Sequence, residues 1–214
     1  MSQMIPKIIH QIWIGDAQIP VQYLKYIDSW KKHHPDWEYR LWTDENMIQL
    51  QNQSFYDCTS NVRQKADIAR YELLYQFGGV YVDVDMECFK NIEPLLDKVE
   101  FFVGTEDNYY FSNELMGCTP QHELMCELIE GIPTSIHSSY NLTIDEQSGA
   151  SYITRYLLWM PQVTVVEQEV FYPKTETDVV LTVSSGNITK ERSEYAPDVS
   201  SSGPTKPKYA FPLL

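Results

Sequence analysis

The stretch that most constrains this chain is Ala66–Asp85, ADIARYELLYQFGGVYVDVD, where a helical pattern meets two glycines and then alternating valines. Ser60 or Asn61 supplies an N-cap, the helix runs from Val62 to about Phe77, and Gly78 is its stop signal. Gly78-Gly79 then reverses the chain into a strand at Val80–Val84. Successive side chains on a strand point to opposite faces, so Val80, Val82 and Val84 share one side and Tyr81, Asp83 and Asp85 the other. The valines supply a core face. The two carboxylates stand about 6–7 Å apart, from ~3.3 Å of rise per residue, at the carboxyl end of a strand where open α/β sheets place their ligands.

Two like charges that close in a partly dry cleft repel by roughly several kcal/mol at an effective dielectric of about 20. A divalent cation cancels the repulsion, and carboxylate oxygens are hard ligands suited to Mg²⁺ or Mn²⁺. Read alone, Asp-x-Asp is a weak signal and more simply ends an edge strand in water. Asp67 and Arg70 stand at i and i+3, on one face of the preceding helix. A surface ion pair is the simplest reading of those two.

Upstream, Lys7–Ile14 reads as a buried strand ended by Gly15-Asp16. Pro20 opens a helix that carries Leu24, Ile27 and Trp30 and stops before Pro35. Glu38–Trp42 is a short strand, and Thr43-Asp44 caps a brief helix through Leu50. Downstream, Phe101–Gly104 and Val163–Val166 read as strands, Gln121–Glu130 and Ala150–Trp159 as helices. Strands alternating with helices predict an α/β sheet with short crossovers. After Tyr172-Pro173 the pattern fades, and Pro197–Pro207 is Ser/Pro/Gly-rich, a linker or loose tail. The expected organisation is one domain over residues 1–173 and an irregular extension over 174–214.

Composition narrows the partners. A net charge of −14 over 214 residues argues against a nucleic-acid backbone, though not against a phosphate held through a metal ion. Residues 83–130 hold twelve acids and two bases, so most of the charge starts at Asp83; most of these acids read as solvated surface. No apolar run approaches the ~18 residues of a membrane span, and Met1–His10 lacks the apolar centre of a signal peptide. Cys58, Cys88, Cys118 and Cys126 form no CxxC pair and read as four reduced thiols in a cytoplasmic setting. The sequons at Asn52, Asn141 and Asn187 read as chance matches.

Other candidates have bland readings. His10 reads as a structural histidine, His33 and His34 as partners of a helix C-terminus, and Met116 and Met125 as core. Glu87 continues the parity of Asp83 and Asp85 and reads as a solvated turn or a supporting acid. Asp145–Gly149 reads as a capping loop before a helix.

The block from Ala66 to Asp85 resembles the signature of the DXD-containing sugar-binding glycosyltransferases. That family includes the yeast initiating mannosyltransferase, bacterial capsule transferases and glucosylating clostridial toxins. Ile5–Gly15 (IPKIIHQIWIG) is similar to its opening strand. Ser29-Trp30-Lys31 through Pro35 and Tyr39-Arg40-Leu41-Trp42 are similar to its next two segments, and Phe171-Tyr172-Pro173 to a later one.

The resemblance implies a GT-A fold, a central mixed and mostly parallel sheet flanked by helices, with a nucleotide-sugar donor (UDP-linked, by family analogy) and a Mn²⁺ or Mg²⁺ ion. It implies that Trp13 stacks on the nucleobase, that Asp67 and Arg70 hydrogen-bond donor-sugar hydroxyls, and that Tyr81 lines the donor pocket. By the same resemblance Asp83 reaches ribose or sugar hydroxyls and assists the metal, while Asp85 ligates it directly. Asn113 and Glu114 fall where relatives place donor and acceptor contacts. Many members close the site with a C-terminal His/Trp loop. Here the last histidine is His137 and the last tryptophan Trp159, so that loop is absent or replaced.

The expected function is transfer of a hexose or deoxyhexose from a nucleoside-diphosphate sugar to a glycan or glycoprotein acceptor. Relatives mostly retain anomeric configuration; inversion would need a positioned carboxylate on the acceptor side, and the many acids leave both open. A nucleotide-sugar hydrolase using the same metal and a non-catalytic carbohydrate-binding module are the alternatives. The acidic single-domain form with its Pro/Ser tail resembles one transferase module of a larger viral protein, working in the host-cell cytoplasm.

Overall fold

The computed structural model describes residues 4–105, 110–158, 160 and 163–166. Its strands are β1 (Ile8–Ile12), β2 (Glu38–Trp42), β3 (Gly79–Val82), β4 (Phe101–Thr105), β5 (Phe111–Cys118) and β6 (Thr164–Val166). They form one sheet in the order β2-β1-β3-β5-β4-β6. β1 pairs in parallel with β2 and β3, β5 is antiparallel to β3 and β4, and β6 is parallel to β4. β5 alone opposes the rest, which is the mixed, mostly parallel sheet expected.

The helices are α1 (Val21–His33), α2 (Gln53–Cys58), α3 (Val62–Phe77), α4 (Glu123–Ile136), α5 (Ile144–Ser148) and α6 (Ala150–Leu157). Parity in β3 decides what each sheet face buries. Val80 and Val82 pack in a core with Ile9, Leu115 and Trp30 of α1. Tyr81 belongs to a second core with Ile68 and Leu74 of α3, Met116, Met125 and Tyr152. Helices therefore cover both faces, and Met116 and Met125 are core as expected.

The α3–β3 reversal is where the sequence constraint becomes geometry. Asn61 caps α3, its side chain accepting from the backbone N–H groups of Arg63 and Gln64. Gly78 and Gly79 have φ of 62° and 93°, conformations that side-chain-bearing residues rarely adopt. A Cβ on Gly79 would lie 2.6 Å from the carbonyl oxygen of Ile8, so glycine is also what lets β3 approach β1. His10, fully buried between Trp42 and Phe77, locks the turn. Its Nε2–H donates to Gly78 O (2.9 Å) and its Nδ1 accepts from Trp42 Nε1 (3.0 Å). Burial pushes its pKa down to about 4, so the ring is neutral and structural.

Several expectations need correction. β3 ends at Val82, and Asp83–Met86 forms a turn in which Met86 N–H donates to Asp83 O (3.2 Å). Strand alternation therefore does not reach Asp85. No helix forms over 43–50: Asn46 Oδ1 accepts from Thr43 N–H (2.7 Å) and its Nδ2 donates to Leu41 O (3.0 Å), closing turns instead. The helix comes later, as α2, and the N–H groups of Gln51 and Asn52 just before it donate to the Glu72 carboxylate. Pro20 is the N-cap of α1 and not its first residue, and α4 runs past Glu130 to Ile136. His34 does partner the C-terminus of α1, its Nδ1–H donating to Trp30 O (3.0 Å), but as a buried neutral ring whose Nε2 accepts from Ile92 N–H (3.0 Å) of a distant loop. Phe171-Tyr172-Pro173, the sequon at Asn187 and the 174–214 extension lie outside the described residues.

All four cysteines are free. Asn52 is buried with its amide on Ile129 O (2.9 Å), which accounts for its sequon as a chance match. Among the described residues no helix is long and apolar enough to cross a membrane.

Candidate active site

Three elements meet at the carboxyl end of β3. α3 presents Arg70, β3 presents Tyr81, and the turn after it carries Asp83 and Asp85. They open on a cavity of about 490 Å³ whose walls also include Trp13, from the chain just beyond β1, and Arg63 of α3. Trp13 is fixed from two sides: its Nε1–H donates to Ala17 O (2.6 Å) and its ring meets Tyr23 edge-on. An indole held with part of its face exposed is a platform for a flat ligand.

Arg70 is the hub. Its guanidinium lies over the Tyr81 ring at 4.4 Å, and Nη2 stands 3.3 Å from both Asp67 Oδ1 and Asp83 Oδ1. Tyr81 O–H donates to Asp83 Oδ1 at 2.5 Å. Burial alone would disfavour the Arg70 charge, but Asp83, Tyr81 and Asp67 reverse this and hold it protonated. Burial likewise keeps the Tyr81 phenol protonated, as the hydrogen bond to Asp83 requires. The expected surface ion pair is thus a buried one, with Asp67 and Arg70 only 1% and 3% exposed.

Asp67 sits beneath the cavity, not on its wall. Its oxygens accept from Asn113 Nδ2 (2.8 Å) and Ser148 Oγ (2.9 Å). Burial pushes its carboxyl up to about 6, against the opposing pull of Arg70, Ser148 and Asn113. Asp85, in contrast, is exposed at the turn, and burial together with the Asp83 charge raises its pKa.

The donor set suits a cation in part. Two carboxylates on one turn offer hard oxygens, and a cation would relieve the strain on Asp85. Among the described residues no group of three or more His, Cys, Asp or Glu side chains could hold a metal alone, so Asp83 and Asp85 would be a partial ligand set. A bound ion with open positions is the arrangement used on substrate phosphates.

Around this centre the structure recruits residues the sequence only hinted at. Gln11, buried beside His10 in a strand whose other residues are isoleucines, donates from Nε2 to Asp83 O (3.2 Å) and accepts from Tyr39 O–H (2.7 Å), pinning the turn to β1 and β2. A polar side chain amid β1's isoleucines was the available signal. Trp30 Nε1–H donates to Met86 O (2.8 Å), holding the same turn from α1. Asn113 lies inside the network, whereas Glu114 contributes its backbone carbonyl to Asp83 N–H (2.9 Å). Glu87 is exposed and outside the cavity wall. Asp145 caps α6 as expected, accepting from Ala150 and Ser151 N–H, but the segment read as a loop is itself the short helix α5, capped by Thr143 and Glu146.

The chain is similar to known glycosyltransferases in sequence and in fold. Residues 20–102 match the family model described as the glycosyltransferase sugar-binding region containing the DXD motif. Inositol phosphoceramide mannosyltransferase 1 of Schizosaccharomyces pombe is 34% identical over 145 residues, covering 63% of this chain and 45% of that protein. An uncharacterized glycosyltransferase of Acanthamoeba polyphaga mimivirus is 32% identical over 151 residues, covering 65% of this chain and 60% of that one. Among solved structures, the PaToxG glycosyltransferase superposes with a TM-score of 0.62 at 19% identity, over 72% of this chain and 69% of that chain. The fold is thus the GT-A type. The chain spans less than half the length of the fission-yeast relative it matches.

Proposed function

We propose that this chain, whose residues 20–102 carry the DXD-containing sugar-binding region of a glycosyltransferase family, transfers a hexose from a nucleoside-diphosphate sugar to a glycan or glycoprotein acceptor. The observation that carries the reading is the meeting of Trp13, Arg70, Tyr81, Asp83 and Asp85 on one cavity wall. The family signature implies a divalent metal, and we assign it to Asp83 and Asp85, as Mn²⁺ or Mg²⁺. When bound there, it supplies the positive charge that a departing nucleoside diphosphate requires.

The chain's own groups divide the remaining work. Trp13 stacks on the base, a uridine by preference, because its indole is already immobilised. Arg70 points its guanidinium fork at sugar hydroxyls, and Tyr81 holds both Arg70 and Asp83 in register. Asp83 is engaged through Oδ1 by Tyr81 and Arg70, which leaves its second oxygen to ribose or the ion. No positioned base is assigned, so we favour retention, in which the leaving phosphate assists the acceptor. The names of the fungal relatives favour mannose as the sugar to test first. We place the chain, as one module of a larger protein, in the cytoplasm, the host's if it is viral.

A thermal-shift panel of UDP- and GDP-sugars, with and without Mn²⁺, tests the reading, because a ligand that binds only the folded state raises its stability. One nucleotide sugar should stabilise the protein in Mn²⁺ and not in EDTA. Sugar must then pass to an added glycan faster than to water. Release to water alone would identify a hydrolase, and stabilisation by free sugar without nucleotide would identify a binding module.

A further inference from the structure

Asp67 draws partners from three elements although it never reaches the cavity. Asn113 Nδ2 of β5 donates to Oδ1 (2.8 Å), Ser148 Oγ of α5 donates to Oδ2 (2.9 Å), and Arg70 Nη2 lies 3.3 Å from Oδ1. Asn113 does more, since its backbone carbonyl accepts from Arg70 Nη1 at 2.6 Å and its Nδ2 also donates to Tyr71 Oη at 3.3 Å. α5 is in turn held to α3 by Tyr71 O–H on Ser148 O (2.5 Å) and by Gln64 Nε2 on Gln147 Oε1 (2.7 Å). We propose that Asn113 and Ser148 are positioning residues for the donor sugar, fixing Asp67 from both sides so that it aims Arg70 into the cavity.

The guanidinium carries five N–H donors in a rigid planar fork. Nε faces Ala66 O (3.3 Å), one Nη1 hydrogen goes to Asn113 O, and Nη2 stands between Asp67 and Asp83. One Nη1 donor remains for a ligand, and its direction follows the plane of the fork. Tyr81 and Asp83 hold the fork from the cavity side, and Asp67 and the Asn113 carbonyl hold it from beneath. Removing the Ser148 hydroxyl frees one Asp67 oxygen, lets the carboxylate turn, and tilts the fork with it. Sugar contacts suffer while base and phosphate contacts, made by Trp13 and the Asp83–Asp85 turn, do not.

This proposal rests on reading the cavity as a nucleotide-sugar site, and the experiment separates the two. The full chain in Mn²⁺, as wild type, Ser148→Ala, Ser148→Thr and Asn113→Ala, is titrated calorimetrically with UDP, GDP, UDP-glucose and GDP-mannose. The two alanine variants should bind the free nucleotide as wild type does and its sugar conjugate about tenfold more weakly. Ser148→Thr, which keeps the hydroxyl, should restore the conjugate. Unchanged conjugate affinity in a folded alanine variant would overturn the proposal, as would an equal loss for nucleotide and conjugate, the mark of a merely structural role. The two variants act on different oxygens of Asp67, so either alone decides if the other fails to fold. A wild type that binds none of the four ligands would overturn the site reading, and this proposal with it.

Discussion

Asp85 is the residue whose chemistry is most separable from the fold. It is exposed on a turn, so Asp85→Asn should shift stability by no more than about 0.5 kcal/mol, the range of ordinary surface changes. Donor binding that depends on Mn²⁺ should nevertheless disappear, as calorimetry would read. Trp13→Ala should weaken UDP itself by ~1–3 kcal/mol if base stacking follows its behaviour in nucleic-acid sites. Arg70 differs in kind. Removing it strands the buried Asp67 carboxylate, so Arg70→Ala should cost about 3–5 kcal/mol of stability in a denaturant titration. Much of the site was legible at this scale: Trp13, Arg70, Tyr81, Asp83 and Asp85 do share a cavity. Depth was not. Helical spacing puts Asp67 and Arg70 on one face, but only the packing of β5 and α5 against α3 decides that one lines the cavity and the other supports it from beneath.

Among the elements, the α3–β3 reversal was the most legible, because its period changes across two glycines that no other residue could replace. β5 was the least legible. Its sequence, FSNELMGC, is buried on both faces, so hydrophobic alternation is missing, and its polar residues serve the network around Asp67 and Arg70. A helix over 43–50 failed for a local reason, since the Asn46 side chain captures the backbone groups a helix would use. His10 gives the reversal a pH signature. Its folded pKa of about 4 lies below the ordinary 6.5, so its contribution is present above 6.5 and lost as pH falls through 4. The full effect is about 3 kcal/mol. Asp67 runs the other way: its carboxyl is raised to about 6, so its contribution is present below the unfolded value and lost as pH rises through 6. The two partly cancel in the wild type. His10→Gln should therefore lose the His10 share alone, and its stability, followed by denaturant midpoint from pH 7 to pH 4, should fall less steeply than that of the wild type.

At the scale of the whole molecule, the acidity and the chemistry of the site are one problem. Twelve acids against two bases over residues 83–130 make the turn after β3 strongly acidic, Arg70 is already committed to Asp67 and Asp83, and Arg63 is the other basic side chain on the described cavity wall. A diphosphate approaching that turn meets carboxylates, and on the proposed function a cation held by them supplies the charge that Arg63 alone does not. The measurement that bears most directly on this is a calorimetric titration of the full chain with UDP, in Mn²⁺ and in EDTA, for wild type and Asp85→Asn. Binding by the wild type in Mn²⁺, lost in EDTA and lost in Asp85→Asn, is the predicted result. Equal UDP affinity with and without the metal, or undiminished affinity in Asp85→Asn, would contradict it.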